Sequence, residues 1–364
     1  MRKAVIIIAA GNNQVLVIKK AKKMGFAVIC IDRDPNAIGF QFCDEKINLS
    51  TYESKPIIAY LKKLQKKYEF FGVINRSSGI PVITCAEICS TFKLPGINPT
   101  AAKNIIDKSE LMSFCKINNI SAPFSISARI FAEIDNKSIK FPCIVKPALS
   151  IIGKSGVVMV KNEEELEIAF NIAQKSSING IVDIEEYVKG YDITLMAIVR
   201  NGVIYPITLL DEINSIDDNG KIFGIGFAVP SIFSGRQEED KILSLAQKIV
   251  RAFKLDTTVF LMSCRCDFGQ NPKLIEIHLD FGGDLVLDYL IPTSTDFDVL
   301  KVFIDAMTRQ FQNFSNVQFD PTAIIYEKGG DLVSERLFTL YKAESMKQLH
   351  QNIEKFHKNR RYNS

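Results

Sequence analysis

Apolar residues fall into short runs broken by turn-forming residues, and the spacing alternates between strand-like and helix-like. Ala4–Ala9 is an unbroken apolar run of strand length, followed by Gly11-Asn12-Asn13. From Val15 to Met24 apolar positions return at helical spacing, and Gly25 closes the helix. Phe26–Asp32 reads as a second strand, 54–68 as a helix and Phe71–Asn75 as a third strand. This alternation predicts a parallel sheet with helices on both faces. The turn-rich segment Leu94–Thr100 is the best boundary. A helix follows it, broken by Ser121-Ala122-Pro123. Further strands are expected at 141–146, 157–160, 181–188, 193–199 and 203–209, with Asn201-Gly202 as the hairpin turn between the last two. Helices are expected at 163–173 and 239–253, and a strand pair at 258–266 and 273–278.

Three features of the middle region carry chemistry. The first is Lys146, which closes the apolar strand Pro142-Cys143-Ile144-Val145 and is followed by Pro147. An ammonium there would be buried without a partner unless something anionic meets it. The second is the loop from Ser150 to Gly156, in which Gly153 and Gly156 let the backbone approach an anion and Lys154 adds charge. The third is an apolar strand ending in Glu185-Glu186-Tyr187-Val188, then Lys189-Gly190-Tyr191-Asp192. A hinge of this kind presents backbone groups to an adenine edge, and Asp192 accepts from ribose hydroxyls. Taken singly, each feature is better explained as an ordinary strand end or loop.

In this order, and with Asp107-Lys108 ahead of them, these residues resemble the ATP-grasp superfamily of carboxylate–amine and carboxylate–thiol ligases. The resemblance covers about residues 3 to 310 and includes the first unit, through Ala9-Ala10-Gly11 and Asp32-Arg33-Asp34-Pro35. It implies an α/β ATP-grasp architecture: a Rossmann-like parallel domain over 1–103, then an ATP-grasp domain over 104–310 whose lobes, 104–183 and 184–310, clamp ATP, then a C-terminal extension over 311–364. It implies that Lys108 and Lys146 contact phosphates and that Ser150, Gly153, Lys154 and Gly156 belong to the loop that closes over them. Glu185 would accept from the adenine amino group, with Glu186, Tyr187 and Val188 forming the hinge and Asp192 holding the ribose. Lys221, in the glycine-flanked segment 219–226, would belong to a loop over the γ-phosphate.

The chain departs from the family in its metal motif. Where relatives read E-x-N-x-R, this chain has Glu276, His278 and Asp280, and the matching position on the paired strand is Ser263, not a carboxylate. Magnesium takes oxygen ligands and shares them with phosphates, so Glu276 is the expected ligand, with His278 as a second ligand, a general base or a substrate contact. Arg265 or Arg236 is expected to supply the cation missing at Asp280. The acidic Asp280 and Asp284 point to a positively charged second substrate.

Composition narrows the classes. A net charge of +4 over 364 residues argues against nucleic acid, and no apolar stretch reaches the roughly 18 residues that span a bilayer. The eight cysteines form no CxxC pair and sit mostly in apolar runs, as free thiols of a reducing cytoplasm do. Cys264 and Cys266 with Asp267 and His278 lack zinc spacing, and the first turn lacks the glycines of a dinucleotide fingerprint. The expected function is therefore an ADP-forming ligase that uses ATP and Mg²⁺ to join a small-molecule carboxylate to an amine. Its expected location is the cytoplasm, with homodimers common among relatives. The alternative from another class is an ATP-binding regulatory or scaffold protein without turnover.

Overall fold

A computed structural model describes residues 1–150, 154–280, 282, 285–315, 317–327 and 337–352. Among them the strands form three sheets. The first is parallel, in the order β3-β2-β1-β4, with β1 at Arg2–Ile8, β2 at Ala27–Ile31, β3 at Glu45–Ile47 and β4 at Tyr68–Asn75. Helices α1 (Asn12–Lys23), α2 (Ser54–Leu64) and α3 (Ile80–Phe92) connect and cover it. Because side chains alternate along a strand, Ala4, Ile6 and Ile8 pack with Ile57, Leu61 and Ile88, while Val5 and Ile7 pack with Val17 and Ile18. Burial on both faces is why this strand is apolar without interruption.

The single helix expected after Thr100 is two, α4 (Pro99–Ile106) and α5 (Lys108–Ile117). Asp107 separates them, because its carboxylate caps α5 by accepting from the N–H groups of Ser109 at 3.0 Å and Glu110 at 3.4 Å. The second sheet is antiparallel, in the order β5-β8-β6-β7, from Ser125–Ala128, Cys143–Pro147, Val158–Val160 and Val182–Glu186 in chain order. Helix α6 (Leu166–Ser176) covers it through Leu166, Ala169, Phe170 and Ala173.

The third sheet has seven strands in the order β13-β12-β9-β10-β11-β14-β15. Its members are β9 (Tyr191–Arg200), β10 (Val203–Ile216), β11 (Ile222–Val229), β12 (Thr258–Cys266), β13 (Lys273–His278), β14 (Thr322–Tyr326) and β15 (Phe338–Lys342). Alternation again divides its faces. Ile193, Leu195, Ala197 and Val199 meet α7 (Gln237–Phe253), and Met196 and Ile198 face the first sheet's core. Short helices α8 (Ile291–Ser294) and α9 (Val299–Ala306) complete that core.

The segment 219–226, expected as a loop over a phosphate, is instead a turn followed by β11. Its glycines serve packing: a Cβ on Gly226 would lie 2.1 Å from the Ile324 carbonyl oxygen on β14. The turn also reaches the second sheet, where Met159 N–H donates to Gly220 O at 2.7 Å. The segment expected as a C-terminal extension contributes β14 and β15 to the third sheet.

The first and third sheets share one apolar core, and Gly72 of β4 comes close to the main chain that follows α9. A Cβ there would lie 1.9 Å from the carbonyl oxygen of Met307, just beyond α9. Gly72→Ala must therefore displace main chain rather than a side chain. It is expected to destabilise the fold by about 1–3 kcal/mol, the usual range for overpacking, seen as a lowered melting temperature in calorimetry.

Candidate active site

Lys146 sits in the middle of the second sheet, on β6, with 4% of its surface exposed. Its Nζ lies 2.8 Å from Glu185 Oε2 on the neighbouring strand β8. Burial works against the ammonium, but Glu185, Asp183 and Glu276 outweigh it and raise the pKa above the usual lysine value. Asp183 is fully buried, and burial pushes its carboxyl up to about 6 although Ser127 Oγ donates to it at 2.5 Å. The second oxygen of Glu185, Oε1, is buried and accepts no hydrogen bond within the protein.

Two further lysines arrive from other elements. Lys108, at the start of α5, places Nζ 3.5 Å from Glu276 Oε2 on β13. Lys154, held at a positive φ of 62°, crosses to the third sheet, where it meets Asn214 and lies 3.3 Å from Glu212 Oε2. Burial opposes its charge, and Glu212, Glu276 and Asp192 overcome it. Glu276 is thus the carboxylate that Lys108, Lys146 and Lys154 all feel. Burial alone would raise its pKa, yet His278, Lys108 and Lys146 hold it well below the usual carboxylate range.

Glu212, on β10, is a site residue that the sequence reading missed. Its Oε1 accepts from Thr194 Oγ1 at 2.5 Å and Ser263 Oγ at 2.9 Å. Ser263 stands opposite Glu276 in the β12–β13 register. Glu212 thus brings a carboxylate to Ser263 from another strand. The available signal was the polar interruption Asp211-Glu212-Ile213-Asn214 within an otherwise apolar strand.

Several expectations require correction. His278 donates from Nε2 to Glu276 Oε1 at 3.2 Å. Burial disfavours its charge, but Glu276 and Asp280 push its pKa up to about 9. With its Nε2 3.2 Å from Glu276 Oε1, His278 is placed as that carboxylate's partner, and the raised pKa favours its charged form. Arg265 does not reach Asp280: its Nε and Nη2 donate to Asp192 at 2.5 and 2.9 Å. Arg236 lies elsewhere again, over the Phe268 ring. Gly156 packs against α6, where an added Cβ would lie 2.8 Å from the Ser176 side chain, so its role is close packing. The Glu186 side chain pairs with Lys273 at 2.9 Å, on the β13 side of the hinge.

Lys221 forms a β-bridge with Val158 across the two sheets, and its N–H donates to Asp217 Oδ1 at 2.9 Å. Ser150 is half-buried at the mouth of the loop. Gly153 and Asp284 lie outside the described residues. Asp280 is buried, accepts from Gly282 N–H at 2.7 Å and Ser78 Oγ at 3.2 Å, and leaves Oδ2 without a donor. Burial is the main cause of its raised pKa.

Known proteins match this arrangement. Residues 118–268 match the family model described as D-ala D-ala ligase C-terminus. The formate-dependent phosphoribosylglycinamide formyltransferase of Prochlorococcus marinus (strain MIT 9515) is 25% identical over 214 residues, 55% of this chain and 52% of that protein. The carbamoyl phosphate synthase large chain of Methanothermobacter thermautotrophicus is 26% identical over 61% of this chain and 21% of its own length. The chain spans about half the length of the formyltransferases it matches. Among solved structures, N5-carboxyaminoimidazole synthetase from Staphylococcus aureus complexed with ADP superposes with a TM-score of 0.75 at 17% identity, covering 97% of this chain and 96% of that one. The L-amino acid ligase from Bacillus licheniformis gives 0.72 at 18% identity, covering 90% and 80%. The chain has the ATP-grasp fold. No helix among the described residues is long and apolar enough to cross a membrane.

Two predictions concern charge in this site. Removing one partner of the buried Lys146–Glu185 pair, by Lys146→Met or Glu185→Leu, is expected to destabilise the protein by about 3–5 kcal/mol, with the double variant close to wild type in urea unfolding. In the ligand-free protein, the His278 imidazole should titrate by NMR near pH 9 instead of its ordinary 6.5. Because the folded pKa is the higher one, its stabilisation is fully present below pH 6.5 and is lost as pH rises through 9. Glu276→Gln should return the midpoint toward the ordinary value.

Proposed function

We propose that this chain is an ADP-forming ligase that uses ATP to activate a small-molecule carboxylate and joins the acyl group to an amine. The observation that carries the reading is the convergence of Lys108, Lys146 and Lys154, from three separate elements, on the Glu276 carboxylate. Cations gathered this way into a partly dry cleft suit a polyphosphate, whose developing charge they stabilise without reorganising. The orphaned acceptor Glu185 Oε1 suits the amino group of adenine, Val188 offers its backbone to the ring, and Asp192 accepts from the ribose.

Glu276 is an ionised oxygen donor, and Ser263, opposite it in register, donates to Glu212 of β10. That donor set fits magnesium, which takes oxygen ligands and completes its shell with phosphate oxygens and water. When bound, the ion would neutralise phosphate charge. The chain's own residues do the rest. The lysines orient the triphosphate, and His278 adds a fixed positive charge beside Glu276, two positions ahead of the site where related ligases carry arginine. An oxygen of the substrate carboxylate attacks the γ-phosphorus and ADP leaves. The amine passes its extra proton to a carboxylate such as Asp280 or to water, its nitrogen lone pair attacks the acyl carbon, and inorganic phosphate leaves. Asp280, with one oxygen lacking a donor and Ser78 beside it, suits an amine substrate that arrives positively charged.

Incubation with ATP, Mg²⁺ and a grid of carboxylates and amines tests this. ADP and phosphate should accumulate only with a matching pair. Lys154→Ala should lower the rate about 10²–10³-fold, as loss of one transition-state donor does. AMP and pyrophosphate as products would contradict the acyl-phosphate route. ATP binding with no substrate-dependent phosphate release would favour a regulatory protein instead.

A further inference from the structure

The hinge between the second and third sheets is strapped by a row of residues in register. Arg265 on β12 stands opposite Asp192 on β9 and opposite Lys273 on β13. Lys273 reaches back to Glu186, the last residue of β8. Arg265 makes a two-pronged contact to Asp192, and its Nη1 donates to the Val188 carbonyl at 2.8 Å. Its guanidinium carbon lies 4.9 Å from the Tyr187 ring centroid. From the other side, Asn214 Nδ2 donates to Asp192 Oδ2 at 2.9 Å. Behind the hinge, Gly190 has φ +125° and no room for a Cβ, which would lie 2.5 Å from Cys266 O.

One guanidinium thus fixes a hinge carbonyl, a hinge ring and the Asp192 carboxylate together. Only a planar fork can hold a carboxylate by two donors while a third meets a carbonyl; a lysine ammonium is a point charge. Arg265 reaches neither Glu276 nor Asp280 in any contact among the described residues. Its fixed targets are the groups that would face a nucleoside.

We propose that Arg265 is a positioning residue for the nucleoside half of ATP. It sets the Val188 main chain and the Asp192 carboxylate in the geometry that the base and the ribose require, and it takes no part in holding the phosphates. The inference rests on the nucleotide-binding reading above. A displacement of about 1 Å in such a constellation can lower performance about 100-fold, so the effect should be large and confined to ligands that carry a nucleoside.

The test compares two probes by calorimetry, ATP and inorganic tripolyphosphate, on the full chain. Arg265→Met should weaken ATP about 10- to 100-fold and leave tripolyphosphate within about two-fold, since Lys108, Lys146 and Lys154 are untouched. Arg265→Lys should recover only part of the loss. Unchanged ATP affinity in Arg265→Met would overturn the proposal, as would parallel loss of both probes in Arg265→Lys. Wild-type protein that binds tripolyphosphate and not ATP would overturn the nucleotide reading itself, a failure visible before any variant is measured.

Discussion

Keeping an ammonium charged inside a β-sheet is the constraint from which the rest of the site follows. Lys146 is almost wholly removed from water, and an unpaired charge there would be strongly disfavoured. Glu185 answers it directly and Asp183 and Glu276 at longer range. Each answer creates a further requirement. Glu276 comes from another sheet, so the second and third sheets must meet along this line. Once there, it is matched by Lys108 and His278. The network accepts positive groups from several elements and leaves individual oxygens, such as Glu185 Oε1, without a donor. A protein built only for stability would gain little from this, since buried ion pairs are often replaceable by apolar residues without loss. A site meant to receive a polyphosphate has reason to keep it.

The packing around that network is divided by side-chain alternation. On β9, one set of side chains faces α7 and the other faces the core shared with the first sheet. The parallel sheet is joined to the large antiparallel one through that shared core, and the close approach at Gly72 ties it to the chain just beyond α9. The small sheet has its own core beneath α6. It reaches the large sheet through charged contacts at the hinge and through the turn at Gly220, whose carbonyl meets Met159 N–H. Polar and main-chain contacts between lobes, where the other sheets share apolar surface, are what a hinged clamp requires, because inter-lobe contacts without a large hydrophobic interface permit relative motion.

Much of this was legible in the chain. The apolar runs of the first sheet, Lys146 at a strand end and the acidic hinge each have local signatures that depend on a few neighbouring residues. What was not legible depended on register between distant strands. Glu212 reaches Ser263 only because β10 lies beside β9, and β9 lies between it and β12. Arg265 looked like a cation for Asp280, since it stands on the strand beside Glu276. Its pairing opposite Asp192 sends the guanidinium to the hinge. Gly156 and Gly226 read as anion-loop glycines, yet in both the missing side chain makes room for a neighbour. Glycine marks close approach in either case, and sequence alone does not say what approaches.

The altered motif at Glu276, His278 and Asp280 is then best understood as charge moved, not charge lost. Residues two apart on a strand share a face, so Glu276 and His278 point to the same side of β13. An arginine at position 280 would bring a positive charge to that side. Here the imidazolium of His278 brings it one step earlier, and the Glu276 and Asp280 carboxylates keep it protonated. Asp280 in turn is held by Ser78 and by the Gly282 N–H, which ties it to the first sheet and away from the phosphate-facing lysines. At position 263, likewise, Ser263 Oγ donates to Glu212, so a carboxylate arrives there from β10, on the far side of β9 in the sheet.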